Sequence, residues 1–317
     1  MAAHGSKLVI FAALTGNAAI AVTKFGAAAY TGSAAMLSEA VHSLVDTGNQ
    51  GLLLFGMRRA KRPATENHPF GHGLELYFWA FVVAVLIFGL GAGVSILEGL
   101  EKIRSPHPVE APWVNYLVLG FAILFEGSVW FIALRAFRSA KGKRGWIQAV
   151  RLSKDPTIFT VLFEDTAALA GLFVALAGLI LSQWLDMPAL DGMASVVIGL
   201  ILAGTAVFLA YECQSLLTGE SVAPETKAAL REVALRQHGV ERINEFLTMH
   251  FGPDDVLVAM SLDFRDRLTA GEVEAAVTSI ERQIKALRPE VTRVFVEAQS
   301  FDAHRRNLEE SAAVAET

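Results

Sequence analysis

Ser38-Glu39-Ala40-Val41-His42-Ser43-Leu44-Val45-Asp46-Thr47-Gly48-Asn49-Gln50 places two ionisable side chains inside an apolar run long enough to cross a bilayer. His42 and Asp46 are four residues apart. At about 3.6 residues per turn they share one face of a helix. An ionisable pair within a transmembrane helix is costly and marks a functional site. An imidazole and a carboxylate at this spacing suit a divalent transition metal, zinc first. The alternative is a satisfied polar pair that holds helices together.

That run is one of six. The chain has 317 residues, 53% of them hydrophobic and 19% charged, with a mean hydropathy of +0.43. Such a composition indicates an integral membrane protein rather than a soluble one. Apolar spans fall near residues 7–30, 34–57, 75–100, 113–136, 157–182 and 189–212. Each is long enough for roughly 30 Å of hydrocarbon. Arg58, Arg59, Lys61 and Arg62 follow the second span, and Arg135, Arg138, Lys141, Lys143, Arg144, Arg151 and Lys154 surround the link between the fourth and fifth. The links 31–33 and 184–188 carry no Lys or Arg. The positive-inside rule therefore puts the 2–3 and 4–5 links in the cytoplasm, and with six spans both termini as well. The net charge of −5 is unevenly distributed and says little by itself. A single cysteine, Cys213, excludes an internal disulfide and a Cys-rich zinc module. No cleavable signal is expected, because the apolar run after Lys7 is too long for a signal core.

After Thr218-Gly219-Glu220 the composition becomes that of a soluble domain. Pro224 to Gln237 reads as an amphipathic helix with proline at its start. Glu245 to His250 and Val256 to Phe264 read as strands joined by Gly252-Pro253-Asp254-Asp255. Thr269 and Glu272 predict a capping box for a helix to Leu287, with Val273, Ala276, Val277, Ile280 and Ile284 as its inner stripe. Val291 to Ala298 closes an αββαβ unit. The expected division is residues 1–215 in the membrane, 220–300 as the α/β domain, and 301–317 as a frayed tail.

Two ligands leave a metal half coordinated, so His42 and Asp46 need partners. Span five supplies Glu164 and Asp165, followed by small residues Ala167, Ala168, Ala170 and Gly171 that permit close helix approach. His42, Asp46 and Asp165, with Glu164 or water, would make a four-coordinate site. The alternative is that Glu164 and Asp165 lie solvated at the helix start. Asn17, Asn49 and Gln50 read as interhelical hydrogen-bond partners. Glu39 reads as either a carboxylate supporting the site or a structural one, Glu126 as structural, and Asp191 as a cap on span six. In the cytoplasmic link, His68 and His72 with Glu66 close by could hold a metal, or could be exposed loop residues.

The ordered set is more specific than its pieces. Six spans, a polar pair in span two facing one in span five, His68-Pro69-Phe70-Gly71-His72-Gly73-Leu74-Glu75 before span three, and the αββαβ tail resemble the cation diffusion facilitator family over residues from about 7 to 300. The resemblance implies a homodimeric antiporter exchanging divalent metal for protons, with a ferredoxin-like cytoplasmic domain. It implies metal ligands at His42, Asp46 and Asp165, and at His68 and His72 in an accessory loop site. The first span-five ligand position falls at Val161, which binds no metal. Either Glu164 or water takes its place; Glu164 with Asp165 resembles a branch of the family with Glu-Asp here. The third accessory ligand falls at Thr65, beside Glu66. The tail has Glu297 where a His-x-Asp is common, and only His238 and His250 besides, so a tail that dimerises without a binuclear metal centre is expected.

Transport is thus the leading reading. Zn²⁺ would bind between spans two and five and displace protons, because ligands must be deprotonated to bind. A rocking of the bundle would then open the site outward. Histidine, with an unperturbed pKa of about 6.5, suits such an exchange. One His with carboxylates also fits Mn²⁺, Fe²⁺, Co²⁺ or Cd²⁺. The competing readings are a membrane-embedded metal-dependent enzyme and a metal-sensing scaffold acting through the tail. No phosphate loop and no Ser or Cys beside a base supports the first. The tail's poverty in His and lack of Cys speak against the second. A lipid bilayer and a second copy of the chain are the expected partners, nucleic acid is not, and no resident cofactor is expected. A bacterial inner membrane is the expected location.

Overall fold

The computed structural model describes residues 2–141 and 145–315. The chain forms two compact units. The first runs to Lys61 and resumes over Glu75–Gln214, and the second joins Arg62–Leu74 to the residues from Ser215 onward.

The first unit is helical. In chain order it contains α1 (Ala2–Thr31), α2 (Ala34–Ala60), α3 (Glu75–Leu86), a π-helical turn (Ile87–Ala92), α4 (Gly93–Arg104), α5 (Pro112–Lys141), the short α6 (Trp146–Leu152), α7 (Pro156–Trp184) and α8 (Ala189–Leu217). Helices α3 and α4 run on through the π turn as one span, Glu75–Arg104. Among the described residues, four helical spans are long and apolar enough to cross a membrane: Glu75–Arg104, Pro112–Arg135, Phe159–Trp184 and Ala189–Leu217. Helix α2 is long enough but carries Glu39 and Asp46 in its body and Arg58 and Arg59 in its last turn. The outward faces keep large apolar side chains exposed, among them Phe121, Leu124, Phe131, Phe173 and Leu200.

Glycine lets the inner faces close. A Cβ added at Gly99 of α4 would stand 2.6 Å from the Gly192 carbonyl of α8, so these backbones touch. The link between α1 and α2 turns at Gly32, whose φ of +63° favours a residue without a Cβ. Ser33 then caps α2 by accepting from the Met36 N–H at 3.2 Å. Asp191 does not cap its own helix as expected. It reaches from α8 to the start of α2, where its two oxygens accept from Ser33 Oγ and the Ala34 N–H, each at 2.7 Å. The last long helix thereby satisfies donors left open at the start of the second.

The second unit has a three-stranded sheet in the order β1-β2-β3: β1 (Val240–Gly252), β2 (Asp255–Phe264) and β3 (Val291–Ala298). Strands β1 and β2 are antiparallel, while β2 and β3 are parallel through the crossover helix α10 (Ala270–Leu287). Strand β1 starts five residues earlier than the apolar alternation indicated, at Val240 rather than Glu245. Helix α9 (Pro224–Leu235) and α10 cover one face, burying Leu230, Ala234, Ile280 and Ile284 against Val256, Val258, Met260 and Leu262. The capping box is present, with Thr269 and Glu272 bonded to each other's backbone N–H.

Two further features differ from expectation. The stretch after Phe301, expected to fray, forms α11 (Phe301–Ala315). Asp263 accepts from the Phe301 N–H at 3.1 Å, and Arg242 lies 4.2 Å over the Phe301 ring. The link Arg62–Leu74 docks on the sheet unit rather than belonging with the helices. Phe70 stacks on Phe251 with centroids 5.0 Å apart, Arg293 donates to the Phe70 carbonyl at 3.2 Å, and the Phe251 carbonyl occupies the place a Cβ on Gly73 would take.

Candidate metal centre

Helix α2 presents the site from one face. His42 is 1% exposed, and its Nε2 lies 3.4 Å from Asp46 Oδ2. Both ring nitrogens of His42 and Oδ1 of Asp46 are buried without a hydrogen-bond partner. One turn further on, Asn49 Nδ2 donates to Glu164 Oε1 of α7 at 2.9 Å, and the Asn49 and Gln50 carbonyl oxygens are also unpartnered. Buried polar atoms normally find partners. An imidazole, carboxylates and side-chain amide oxygens on adjoining turns are groups that can ligate a cation.

Helix α7 begins at Pro156 and is already deep in the bundle at the acidic pair. Glu164 is 4% exposed, so it is not a solvated end residue. Ala167 and Ala168 beyond it are buried, which allows the close approach to α2. Asp165 faces a small polar cavity together with Asp46, Glu126, Ser43 and Asn17, closed by Ile20, Val129 and Ala168. Oδ2 of Asp165 is likewise unpartnered. The structure thus brings Asp46 and Asp165 to one cavity, pairs His42 with Asp46, and ties Glu164 to α2 through Asn49. Among the described residues, no three His, Cys, Asp or Glu side chains are drawn together tightly enough to hold an ion as they stand. Asp46, Glu126 and Asp165 line the cavity, while His42 and Glu164 are not among its lining residues.

Lys24 was not foreseen. Its ammonium is fully buried in α1 and donates to Glu39 Oε2 at 3.1 Å, to Ser43 Oγ at 2.8 Å and to Glu126 Oε1 at 2.9 Å. It therefore ties α1 to α2 and α5 beside the cavity. A lysine in the middle of an apolar run is itself the signal that finds it. Glu39, expected to be a supporting or structural carboxylate, is bound here. Its other oxygen lies against Gly171 of α7, where a side chain would collide with it.

In the second unit the His68 and His72 rings stand 4.5 Å apart, tilted by 33°. His72 Nδ1 is buried without a partner. The backbones of Thr65 and His68 exchange hydrogen bonds of 3.1 Å, which fixes the turn between them. Glu66 is exposed, and among the described residues no third acidic or His side chain completes a set with the two rings. His238 and Glu297 are exposed, while His250 is buried with its Nδ1 at 3.2 Å from the Gly252 carbonyl.

A buried His and carboxylate cluster lies among long apolar helices, and the same chain folds a small α/β unit. The cation efflux transmembrane domain matches residues 10–218, and the chain belongs to the cation efflux, or cation diffusion facilitator, family. It is 30% identical over 308 residues, 96% of its length and 50% of the relative's, to the mouse (Mus musculus) mitochondrial proton-coupled zinc antiporter SLC30A9. It is 27% identical to metal tolerance protein C4 of Arabidopsis thaliana, covering 83% of the chain and 58% of that protein. It is 25% identical to the Escherichia coli cation-efflux pump FieF, covering 80% of both. The chain spans about half the length of the SLC30A9 relatives it matches.

Proposed function

We propose that the chain is a divalent-metal carrier that exports Zn²⁺ in exchange for protons by alternating access. The observation that carries this is the cavity shared by Asp46 of α2 and Asp165 of α7, next to the unpartnered imidazole of His42. Its support from relatives is that the mouse and Escherichia coli proteins named above are a zinc antiporter and a cation-efflux pump. His42, Asp46 and Asp165 bind the ion, and Glu164 turns toward it from its bond to Asn49. Metal binding releases protons from these ligands, and reprotonation from the other side releases the metal. Small hard cations with oxygen preference are weaker substrates than zinc, because an imidazole nitrogen is in the set.

The same proposal carries the finer points. The six long helices span the cell membrane with both ends of the chain cytoplasmic, as the Arg and Lys distribution of the links supports. The α/β unit pairs two copies into a homodimer. His68 and His72, with Glu66 at the surface, form a weaker second cation site in that unit. The membrane-enzyme and sensor readings gain nothing from the structure. The test is zinc-driven proton flux in vesicles reconstituted with the full chain. Asp46→Ala and Asp165→Ala are each expected to abolish it; full flux in both overturns the proposal.

A further inference from the structure

Glu126, for which the sequence suggests a structural role, lies on α5, apart from the pair on α2 and the pair on α7. Its side chain is 14% exposed. One oxygen, Oε1, is held by Lys24 at 2.9 Å. The other, Oε2, is buried with no partner at all. Glu126 lines the same cavity as Asp46 and Asp165. Beside that cavity stands His42, 1% exposed with both ring nitrogens unpartnered. An unpaired buried carboxylate oxygen is expensive unless something occupies the space it faces.

We propose that Glu126 is a further ligand of the cation in this cavity, giving it Oε2, while Lys24 holds Oε1 as a tethered counter-cation. This rests on the cavity being the cation site. The ammonium also binds Glu39 and Ser43, so it stays in place when the cavity is loaded. Four helices then meet at the ion's surroundings: α2 and α7 by the expected ligands, α5 by Glu126, and α1 through Lys24. Lys24 competes electrostatically with the ion for the carboxylates around it, which sets how tightly the cavity binds. The charged groups involved are Lys24, Glu39, Asp46, Glu126, Glu164 and Asp165.

The experiment is equilibrium Zn²⁺ binding to the purified full chain in detergent, against a competing chelator, with Asp46→Asn and Asp165→Asn alongside. Glu126→Gln is expected to weaken binding by roughly tenfold or more, about 1.4 kcal/mol for each factor of ten. Lys24→Gln is expected to tighten it. A purely structural role would weaken binding in both, and zinc-edge X-ray absorption of the loaded chain, expected to lose one oxygen neighbour in Glu126→Gln, separates a bonded carboxylate from a nearby charge; an unchanged first shell overturns the assignment. Wild-type affinity in Glu126→Gln, with binding lost in Asp46→Asn and Asp165→Asn, overturns this assignment and leaves the cavity as the cation site. Should Glu126→Gln not fold, Lys24→Gln decides: unchanged or weaker binding overturns it. Wild-type binding in Asp46→Asn and Asp165→Asn overturns the cavity itself and this assignment with it.

Discussion

His42 Nε2 and Asp46 Oδ2 face each other at 3.4 Å on one side of α2, and no hydrogen bond satisfies either imidazole nitrogen. The imidazole adjoins Asp46, which lines the cavity with Glu126, Asp165, Ser43 and Asn17, and it adds a nitrogen ligand to this mainly oxygen set. Removing it leaves an oxygen-only set, which suits Mn²⁺ and Mg²⁺ better than Zn²⁺. His42→Asn is therefore expected to shift transport from Zn²⁺ toward Mn²⁺. Competition between the two ions in reconstituted vesicles measures it, and an unchanged preference contradicts it.

Asn49 holds Glu164 across the α2–α7 contact at 2.9 Å. Partners that orient a ligand carry about 10–100-fold of metal affinity or activity. Asn49→Ala is expected to raise the KM for zinc by about tenfold with a smaller change in kcat. Flux at graded zinc concentrations separates the two effects.

Much of this architecture is legible in the amino-acid order. Hydropathy locates the long helices, period-two alternation locates β2, and Thr269 with Glu272 marks the start of α10. What stays hidden depends on which elements touch. Nothing near Asp191 in the sequence indicates that it caps α2. Nothing near Lys24 names Glu126, 102 residues away, as its partner. The link at 62–74 reads as a His-bearing cytoplasmic loop, and its docking rests on Phe70 finding Phe251 far along the chain. Residues 301–315 are mostly polar or alanine. Their helix is anchored by Asp263 and Arg242, which local composition does not reveal.

The Asp191 contact makes a stability prediction. Asp191→Ala leaves the Ser33 hydroxyl and the Ala34 N–H buried and unpaired, at a cost of about 1–3 kcal/mol. A lower thermal midpoint for the detergent-solubilised chain is the expected result, with Asp191→Asn intermediate because one acceptor oxygen remains.

Gly99 and Gly192 let α4 and α8 touch through their backbones. Gly99→Val places a branched side chain where the Gly192 carbonyl and Val196 stand. The expected penalty is about 1–3 kcal/mol from overpacking. Thermal unfolding followed by size-exclusion chromatography reads it, and a wild-type midpoint contradicts the contact.

In the second unit, the Thr269 N–H and hydroxyl bonds hold the Glu272 carboxyl below the usual carboxylate range. A carboxyl with a lowered folded-state pKa stabilises fully above its unfolded value. That contribution is lost as the pH falls through the lower folded value. Amide exchange in the first turn of α10 should therefore accelerate, relative to its last turn, as the solution is acidified. Thr269→Ala, losing about 1 kcal/mol of capping, should give the fast exchange already at neutral pH.

The central claim is that Asp46 and Asp165 share one ion between α2 and α7. Anomalous scattering at the zinc absorption edge, from crystals of the full chain grown with Zn²⁺, tests it most directly. A single peak within bonding distance of both carboxylates is the predicted result. The claim is contradicted if strong zinc density occurs only elsewhere on the protein while the cavity between Asp46 and Asp165 stays without metal.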